Sequence, residues 1–281
     1  MRIKITSDST CDLSAQLMEQ HNISLCPLTV IKDDQPYLDN VTITPAEIFE
    51  HVAAGGNLCS TTAVSIGEYQ DFFAPFAKEY DGVVHINLGS GFSSSHQNAC
   101  LAAEEFDNVV AVDSRNLSTG QGLVVLKACQ LAQTAENLND LKAELDAFTS
   151  KVESSFLVDK LEYLAKGGRC SAVAALGANL LNLKPCIDVK DGKMGVSKKY
   201  RGKFDKSLVT YVKERLEGRE DIDYSMPIFI TQTKVSDEAF TGVKEAVSAY
   251  GKFDTVYATT AGCTISCHCG PGTLGVLFVR K

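Results

Sequence analysis

No run of eighteen apolar residues occurs anywhere in the 281-residue chain, so a hydrophobic membrane-spanning helix is not expected. The first residues, Met1-Arg2-Ile3-Lys4-Ile5-Thr6, turn polar within a few positions and lack the apolar stretch of a signal peptide. Positive charge is also in short supply: 27 Lys and Arg against 35 Asp and Glu leave a formal net charge of −8. Nucleic acids and anionic lipid surfaces both select for surplus Lys and Arg on one face, so neither is an expected partner. Two catalytic signatures are missing as well. No Gly-Lys-Ser/Thr closes a phosphate loop, and no G-x-S-x-G surrounds Ser93, which removes the usual sequence support for ATP hydrolysis and simple esterase chemistry. No internal repeat or low-complexity tract was found. These absences point to a soluble, cytoplasmic protein without stable membrane insertion. Its 44% hydrophobic and 22% charged residues are enough for two packed domains.

Ten cysteines would suggest disulfides in a small secreted chain. They are scattered through apolar segments, as at Cys100, Cys129 and Cys186, and no secretion signal precedes them. They read as reduced, mostly buried thiols.

The order of local signals is that of an α/β protein. Ile3 and Ile5 begin a strand, Asp12 or Ser14 caps a helix over Leu13 to His21, and Ser24 to Ile31 forms one apolar run of strand length. Lys32-Asp33-Asp34-Gln35-Pro36 is turn chemistry. Thr44-Pro45-Ala46-Glu47 predicts a capped helix to about Ala54. Ser65-Ile66-Gly67-Glu68 predicts another, with Tyr69, Phe72, Phe73 and Phe76 as its apolar stripe. Gly82 to Leu88 and Asn108 to Asp113 flank a helical pattern from about Ser94 to Glu105, the β-α-β rhythm of a parallel sheet. A charged helix over Asn139 to Lys151 precedes a second block beginning at Phe156 to Val158, with Asp191-Gly192 as a hairpin tip. Strands at Pro227 to Thr231, Thr255 to Thr259 and Thr273 to Val279, and a helix over Asp237 to Tyr250, complete the reading. The expected division is a domain over residues 1–150 and a second over 151–281.

Several polar clusters are candidate sites. Gly89-Ser90-Gly91-Phe92-Ser93-Ser94-Ser95 falls after a strand. Its backbone N–H groups, with the hydroxyls of Ser93 and Ser94, suit an anion; the alternative is an unliganded helix cap. Asp113-Ser114-Arg115 follows the next strand. Ser60-Thr61-Thr62 places hydroxyls in an expected loop, able to receive a carboxylate or to serve only as a linker. Arg169, beside Gly167 and Gly168, suits a phosphate or a partner's carboxylate, or stands solvated. Cys263, Cys267 and Cys269 with His268 invite a zinc site. In an extended segment, however, His268 would face away from Cys267 and Cys269, so no structural metal is expected. His268, ahead of the rigid Gly270-Pro271-Gly272, would serve as an acid or base only with a partner that the sequence does not identify.

These pieces, in their order, resemble the DegV family of fatty-acid-binding proteins along essentially the whole chain. The resemblance rests on Ser7-Asp8-Ser9-Thr10-Cys11-Asp12-Leu13, Ser60-Thr61-Thr62 with Ser65, and Gly89-Ser90-Gly91-Phe92-Ser93-Ser94-Ser95. It continues through Asp113-Ser114-Arg115 with Gly120-Gln121-Gly122, Leu161 to Arg169 with Lys184-Pro185, and His268-Cys269-Gly270-Pro271-Gly272. Ala63-Val64 replaces the family's usual Gln-Pro, and Ser94-Ser95-His96 its Gly-Thr-Tyr-like segment.

The resemblance implies a two-domain fold with a parallel-sheet N-terminal domain, a mixed-sheet C-terminal domain and one long-chain fatty acid between them. It implies no further cofactor and no catalysis by the chain itself: a separate ATP-dependent fatty acid kinase would convert the bound carboxylate to an acyl phosphate, in the service of bacterial phospholipid metabolism. By the same resemblance Thr61, Thr62 and Ser93 are carboxylate donors with Ser94 close by, His268 lies at the head group, and Arg169 faces the kinase. The rival reading is a serine hydrolase acting on an acyl ester, with Ser93 as nucleophile, His268 as base and Asp8 or Asp113 orienting it.

Overall fold

The computed structural model describes residues 1–171 and 183–281. In chain order the elements are β1 (Ile3–Asp8), α1 (Ala15–Gln20), β2 (Ser24–Cys26), β3 (Thr29–Lys32), β4 (Gln35–Leu38), α2 (Pro45–Ala53), β5 (Ser60–Thr62) and α3 (Ile66–Glu79). Next come β6 (Gly82–Asn87), α4 (Ser95–Ala103), β7 (Val109–Asp113), α5 (Ser118–Leu131), α6 (Leu138–Thr149), β8 (Val152–Val158) and α7 (Glu162–Gly167). The chain then forms β9 (Leu183–Lys190), β10 (Lys193–Arg201), α8 (Phe204–Leu216), β11 (Ile228–Thr233), α9 (Asp237–Tyr250), β12 (Val256–Thr260), α10 (Cys263–Cys269) and β13 (Thr273–Val279).

Three sheets result. A four-stranded parallel sheet has the order β2-β1-β6-β7, and a mixed six-stranded sheet the order β10-β9-β8-β13-β11-β12. This is the α/β class that the local signals predict, with the one parallel and one mixed sheet that the family resemblance implies. A third, three-stranded antiparallel sheet, β4-β3-β5, lies between α1 and α3 in the chain and was not anticipated.

In the parallel sheet β1 leads to β2 on one side, while β6 leads to β7 on the other, so the strand order reverses between β1 and β6. Ligand crevices of open α/β sheets form beyond the carboxyl ends of strands at such a reversal. Asp8 ends β1 at this point, fully buried. It accepts hydrogen bonds from Tyr69 Oη at 2.6 Å and from the Leu88 backbone N–H at 2.8 Å, and lies 3.0 Å from His85 Nε2. The carboxylate thereby fixes where the chain leaves β6. Tyr69, Phe72 and Phe73, spaced on one face of α3, pack edge-on or tilted against the His85 ring and shield this polar knot.

The local capping signals give the expected helices. Thr44 and Ser65 form reciprocal boxes with Glu47 and Glu68, and Asp191-Gly192, both at positive φ, close the β9–β10 hairpin. Other expectations need correction. Ser24 to Ile31 is not one strand. Pro27 has no N–H to donate, and the chain leaves the parallel sheet there, so β2 and β3 belong to different sheets. Ser60-Thr61-Thr62 is not a loop but strand β5, paired with β3. The second sheet opens at Val152, four residues before Phe156.

The Cys263 to Cys269 segment is helical and not extended. Its first free N–H groups are satisfied from far away: Gly262 N–H donates to Asp12 Oδ1 and Cys263 N–H to Asp39 Oδ1, each at 2.8 Å. These remote caps supply what a seven-residue helix lacks locally. On the helix Cys263 and Cys267 share one face and pack with Cys59, Ile43 and Phe49. Nine of the ten cysteines are buried, and Cys100 is half-buried. No helix among the described residues is long and apolar enough to cross a membrane.

Candidate functional site

One cavity gathers residues from β5, β10, α7, α10 and the loops that follow β2 and β6. Its apolar wall is Leu28, Leu88, Phe92, Leu117, Leu164, Met194 and Ile265; Thr61, Thr62, Ser93, Arg169, Thr264 and His268 supply the polar side chains. Five of the six sequence-predicted site residues therefore meet at one place, although they lie as far apart in sequence as Thr61 and His268. Ser94 is the exception. It stands exposed at the N-cap position of α4 and makes no side-chain capping bond.

Each polar group is held by a different element. Successive side chains alternate across a strand, so β5 presents Thr61 differently from Ser60 and Thr62. Thr61 Oγ1 lies 2.8 Å from His268 Nε2. Ser93 sits in the glycine loop after β6, where its Oγ accepts the Ser95 N–H at 3.1 Å and lies 2.9 Å from Ser95 Oγ. Asp113 pins the same loop by accepting the Ser90 N–H at 3.0 Å and the Arg115 N–H at 2.8 Å. At Gly91 the loop backbone passes so close to the Gly192 carbonyl at the β9–β10 hairpin tip that a side chain has no room. The hairpin tip and the serine loop thus pack backbone against backbone.

His268 is the penultimate residue of α10, and its ring is wedged against α7. A β-carbon on Gly167 would lie 2.7 Å from His268 Nδ1, so only glycine leaves room for the imidazole. Nδ1 is buried and has no hydrogen-bond partner among the described residues. Burial, followed by the nearby Arg169 guanidinium, pulls the imidazole down to about 4. At neutral pH the ring is therefore uncharged. The arrangement that leaves the least unsatisfied has Nε2–H donating to Thr61 Oγ1, since an orphaned ring acceptor costs less than an orphaned donor. The Thr61 hydroxyl proton is then free to be donated into the cavity.

Arg169 is exposed and donates from Nη1 to the Gly167 carbonyl at 2.8 Å, which places a permanent positive charge at the rim. The site thus combines hydroxyl donors, a neutral imidazole and a rim guanidinium over an apolar interior. That combination suits a ligand with an anionic head and an apolar body. Its enclosed volume is only about 50 Å³, against the roughly 300–1,000 Å³ typical of ligand sites, so a long chain enters only if the walls part.

The hydrolase arrangement is not assembled. Ser93 is bonded to Ser95 and not to His268, Asp8 is enclosed by Tyr69, His85 and Leu88, and Asp113 holds the loop. Neither carboxylate orients His268. Thr264, by contrast, was overlooked in the sequence. Its only signal is the four-residue spacing to His268, which has meaning once the segment is known to be a helix.

The profile of the DegV family, whose members are described as uncharacterised proteins, matches residues 2–281. A DegV domain-containing protein of Clostridium acetobutylicum is 30% identical over 285 residues, covering 100% of this chain and 99% of its own. Among solved structures, a fatty-acid-binding DegV family protein from Thermus thermophilus superposes with a TM-score of 0.89 at 30% identity, covering 100% of both chains. A stearic acid-binding protein from Eubacterium ventriosum gives a TM-score of 0.85 at 28% identity, covering 99% of this chain and 98% of the other.

Proposed function

The chain belongs to the DegV family, and from that premise we propose that it binds one long-chain fatty acid and presents the carboxylate to a partner ATP-dependent kinase. The DegV family protein from Thermus thermophilus and the structurally similar protein from Eubacterium ventriosum bind fatty acids. In this chain the observation that supports the reading is that Thr61, Thr62, Ser93 and His268 line one largely apolar cavity. A carboxylate removed from water needs hydrogen bonds in return, while each buried CH₂ of the acyl chain contributes about 0.8 kcal/mol. Thr61, Thr62 and Ser93 are the donors in this reading, with Ser94 at the outer edge and His268 behind Thr61. The ligand lies between the residue 1–150 and residue 151–281 halves.

The kinase step transfers the terminal phosphoryl group of ATP to a carboxylate oxygen, giving an acyl phosphate and ADP. The nucleotide and its metal belong to the partner; this chain's part is to hold the carboxylate in one orientation at the rim. Arg169, exposed beside that position, is the group that meets the partner or the incoming phosphoryl charge.

Native mass spectrometry of protein purified gently from cells, followed by denaturing extraction and lipid identification, tests the binding step. One fatty acid per chain is expected. A protein that comes out empty and resists loading with added fatty acids would overturn the reading.

A further inference from the structure

Among the described residues only four buried side-chain nitrogen or oxygen atoms lack a hydrogen-bond partner, and two of them, Thr264 Oγ1 and His268 Nδ1, belong to α10. Thr264 is 4% exposed and lines the same cavity as His268. A helical threonine usually bonds the carbonyl four residues back. For Thr264 that carbonyl belongs to Thr260, at the end of β12 and outside the helix, and the bond is not made. Neighbouring hydroxyls are satisfied: Ser266 donates to the Ala261 carbonyl at 3.3 Å and Thr273 to the Cys269 carbonyl at 3.0 Å.

Position then decides what Thr264 meets. Residues four apart on a helix share a face, with Cβ atoms about 5–6 Å from one another. In the fatty-acid reading Thr61 beside His268 holds the carboxylate, and Thr264, one turn toward the N-terminus of α10 and lining the same cavity, is then the group offered to the acyl chain next to that carboxylate. An unsubstituted chain would leave this hydroxyl unpaired in the complex. A site with a buried polar group selects the ligand that pairs it and rejects the analogue that does not.

We propose that Thr264 is a specificity-determining contact and that the preferred ligand class is a fatty acid carrying a second oxygen close to its carboxylate, such as a 3-hydroxy acid. This inference rests on the fatty-acid reading above.

The test is equilibrium binding of hexadecanoic acid and of each enantiomer of 3-hydroxyhexadecanoic acid to delipidated full-length protein. Wild type, Thr264→Val and Thr264→Ser are compared. Wild type is expected to bind one hydroxy enantiomer about ten-fold more tightly than the plain acid, in line with one added buried hydrogen bond. Thr264→Ser keeps this preference. Thr264→Val abolishes it, so that plain and hydroxy acids bind alike, and does not lower the melting temperature of the ligand-free protein, because it removes an unpaired hydroxyl.

Plain acid binding as tightly as both hydroxy acids in wild type would sink the proposal. So would an equal loss of all ligands in Thr264→Val, since that places the hydroxyl on the carboxylate. Wild type binding none of the acids would overturn the fatty-acid reading as well. The wild-type comparison and Thr264→Ser keep the test decisive if Thr264→Val fails to fold.

Discussion

Thr61 Oγ1 and His268 Nε2 meet at 2.8 Å across 207 residues of chain, and this contact ties β5 to α10 at the head of the cavity. With the imidazole neutral, Nε2–H faces the Thr61 oxygen, and the threonine proton is directed at the ligand. Removing that donor with Thr61→Val should weaken fatty-acid binding about ten-fold or more, the usual effect of losing a hydrogen bond to a charged group. Thr61→Ser should restore most of it. Unchanged affinity in Thr61→Val, measured by titration with a fluorescent fatty acid, would show that the hydroxyl serves only the histidine.

The seat of His268 is as specific as its bond. Because a β-carbon at Gly167 would meet Nδ1 at 2.7 Å, Gly167→Ala should push the ring away from Thr61 and weaken binding several-fold. In a Thr61→Val background the same substitution should have little further effect, since the bond it disturbs is already gone. Additive losses in this double-mutant cycle would place the role of Gly167 elsewhere.

Much of this arrangement was legible in the sequence where the determining interactions are local. The Thr44–Glu47 and Ser65–Glu68 boxes lie three residues apart, and the Asp191-Gly192 turn is adjacent, so both helices and the hairpin are read directly. The Ser93 cluster was legible as a candidate because its hydroxyls sit among glycines after a strand, whereas Thr61 reads as a loop hydroxyl and is in fact held in strand β5 by pairing with the distant β3. Helices α5, α7, α8 and α10 escaped, and α5 and α10 did so for different physical reasons. Eleven of the fourteen residues of α5 are buried, so its sequence shows no polar face and no helical period. The start of α10 is capped by Asp12 and Asp39, 250 and 224 residues away, and no local pattern reports such partners. Missing α10 also hid Thr264, since the face it shares with His268 exists only in a helix.

The cap at Asp12 carries a pH dependence. Burial pushes its carboxyl up to about 8, with the Asp39 carboxylate adding to the rise and hydrogen bonds from Ser118 and Gly262 opposing it. The folded state therefore holds a proton that the unfolded chain, at an ordinary carboxyl value, has released. Between those two values stability falls as pH rises. His268 acts with the opposite sign, because its folded value is depressed, but only between about 4 and the ordinary histidine value of about 6.5. From about pH 6.5 to 8 His268 no longer contributes, and the comparison with Asp12→Asn cancels the remaining groups, so wild type should lose about 1–2 kcal/mol relative to that variant. Parallel stability curves for the two proteins in urea across that window would refute the shift.

Arg169 separates holding the ligand from handing it on. It is exposed at the rim and bonds only to the nearby Gly167 carbonyl among the described contacts, so a carboxylate held by Thr61, Thr62 and Ser93 does not depend on it. Arg169→Ala should retain fatty acid at wild-type stoichiometry while the kinase-dependent formation of acyl phosphate falls by about ten-fold or more, as expected for losing a desolvated charge contact at an interface. Arg169→Lys should recover only part of the rate, because an ammonium keeps the charge but not the planar fork of donors. The guanidinium also holds the His268 imidazole down, so its removal should move the histidine titration upward by NMR without charging the ring at neutral pH. If Arg169→Ala loses fatty acid as readily as Thr61→Val, the arginine belongs to the carboxylate site, and the proposed division between binding and presentation is wrong.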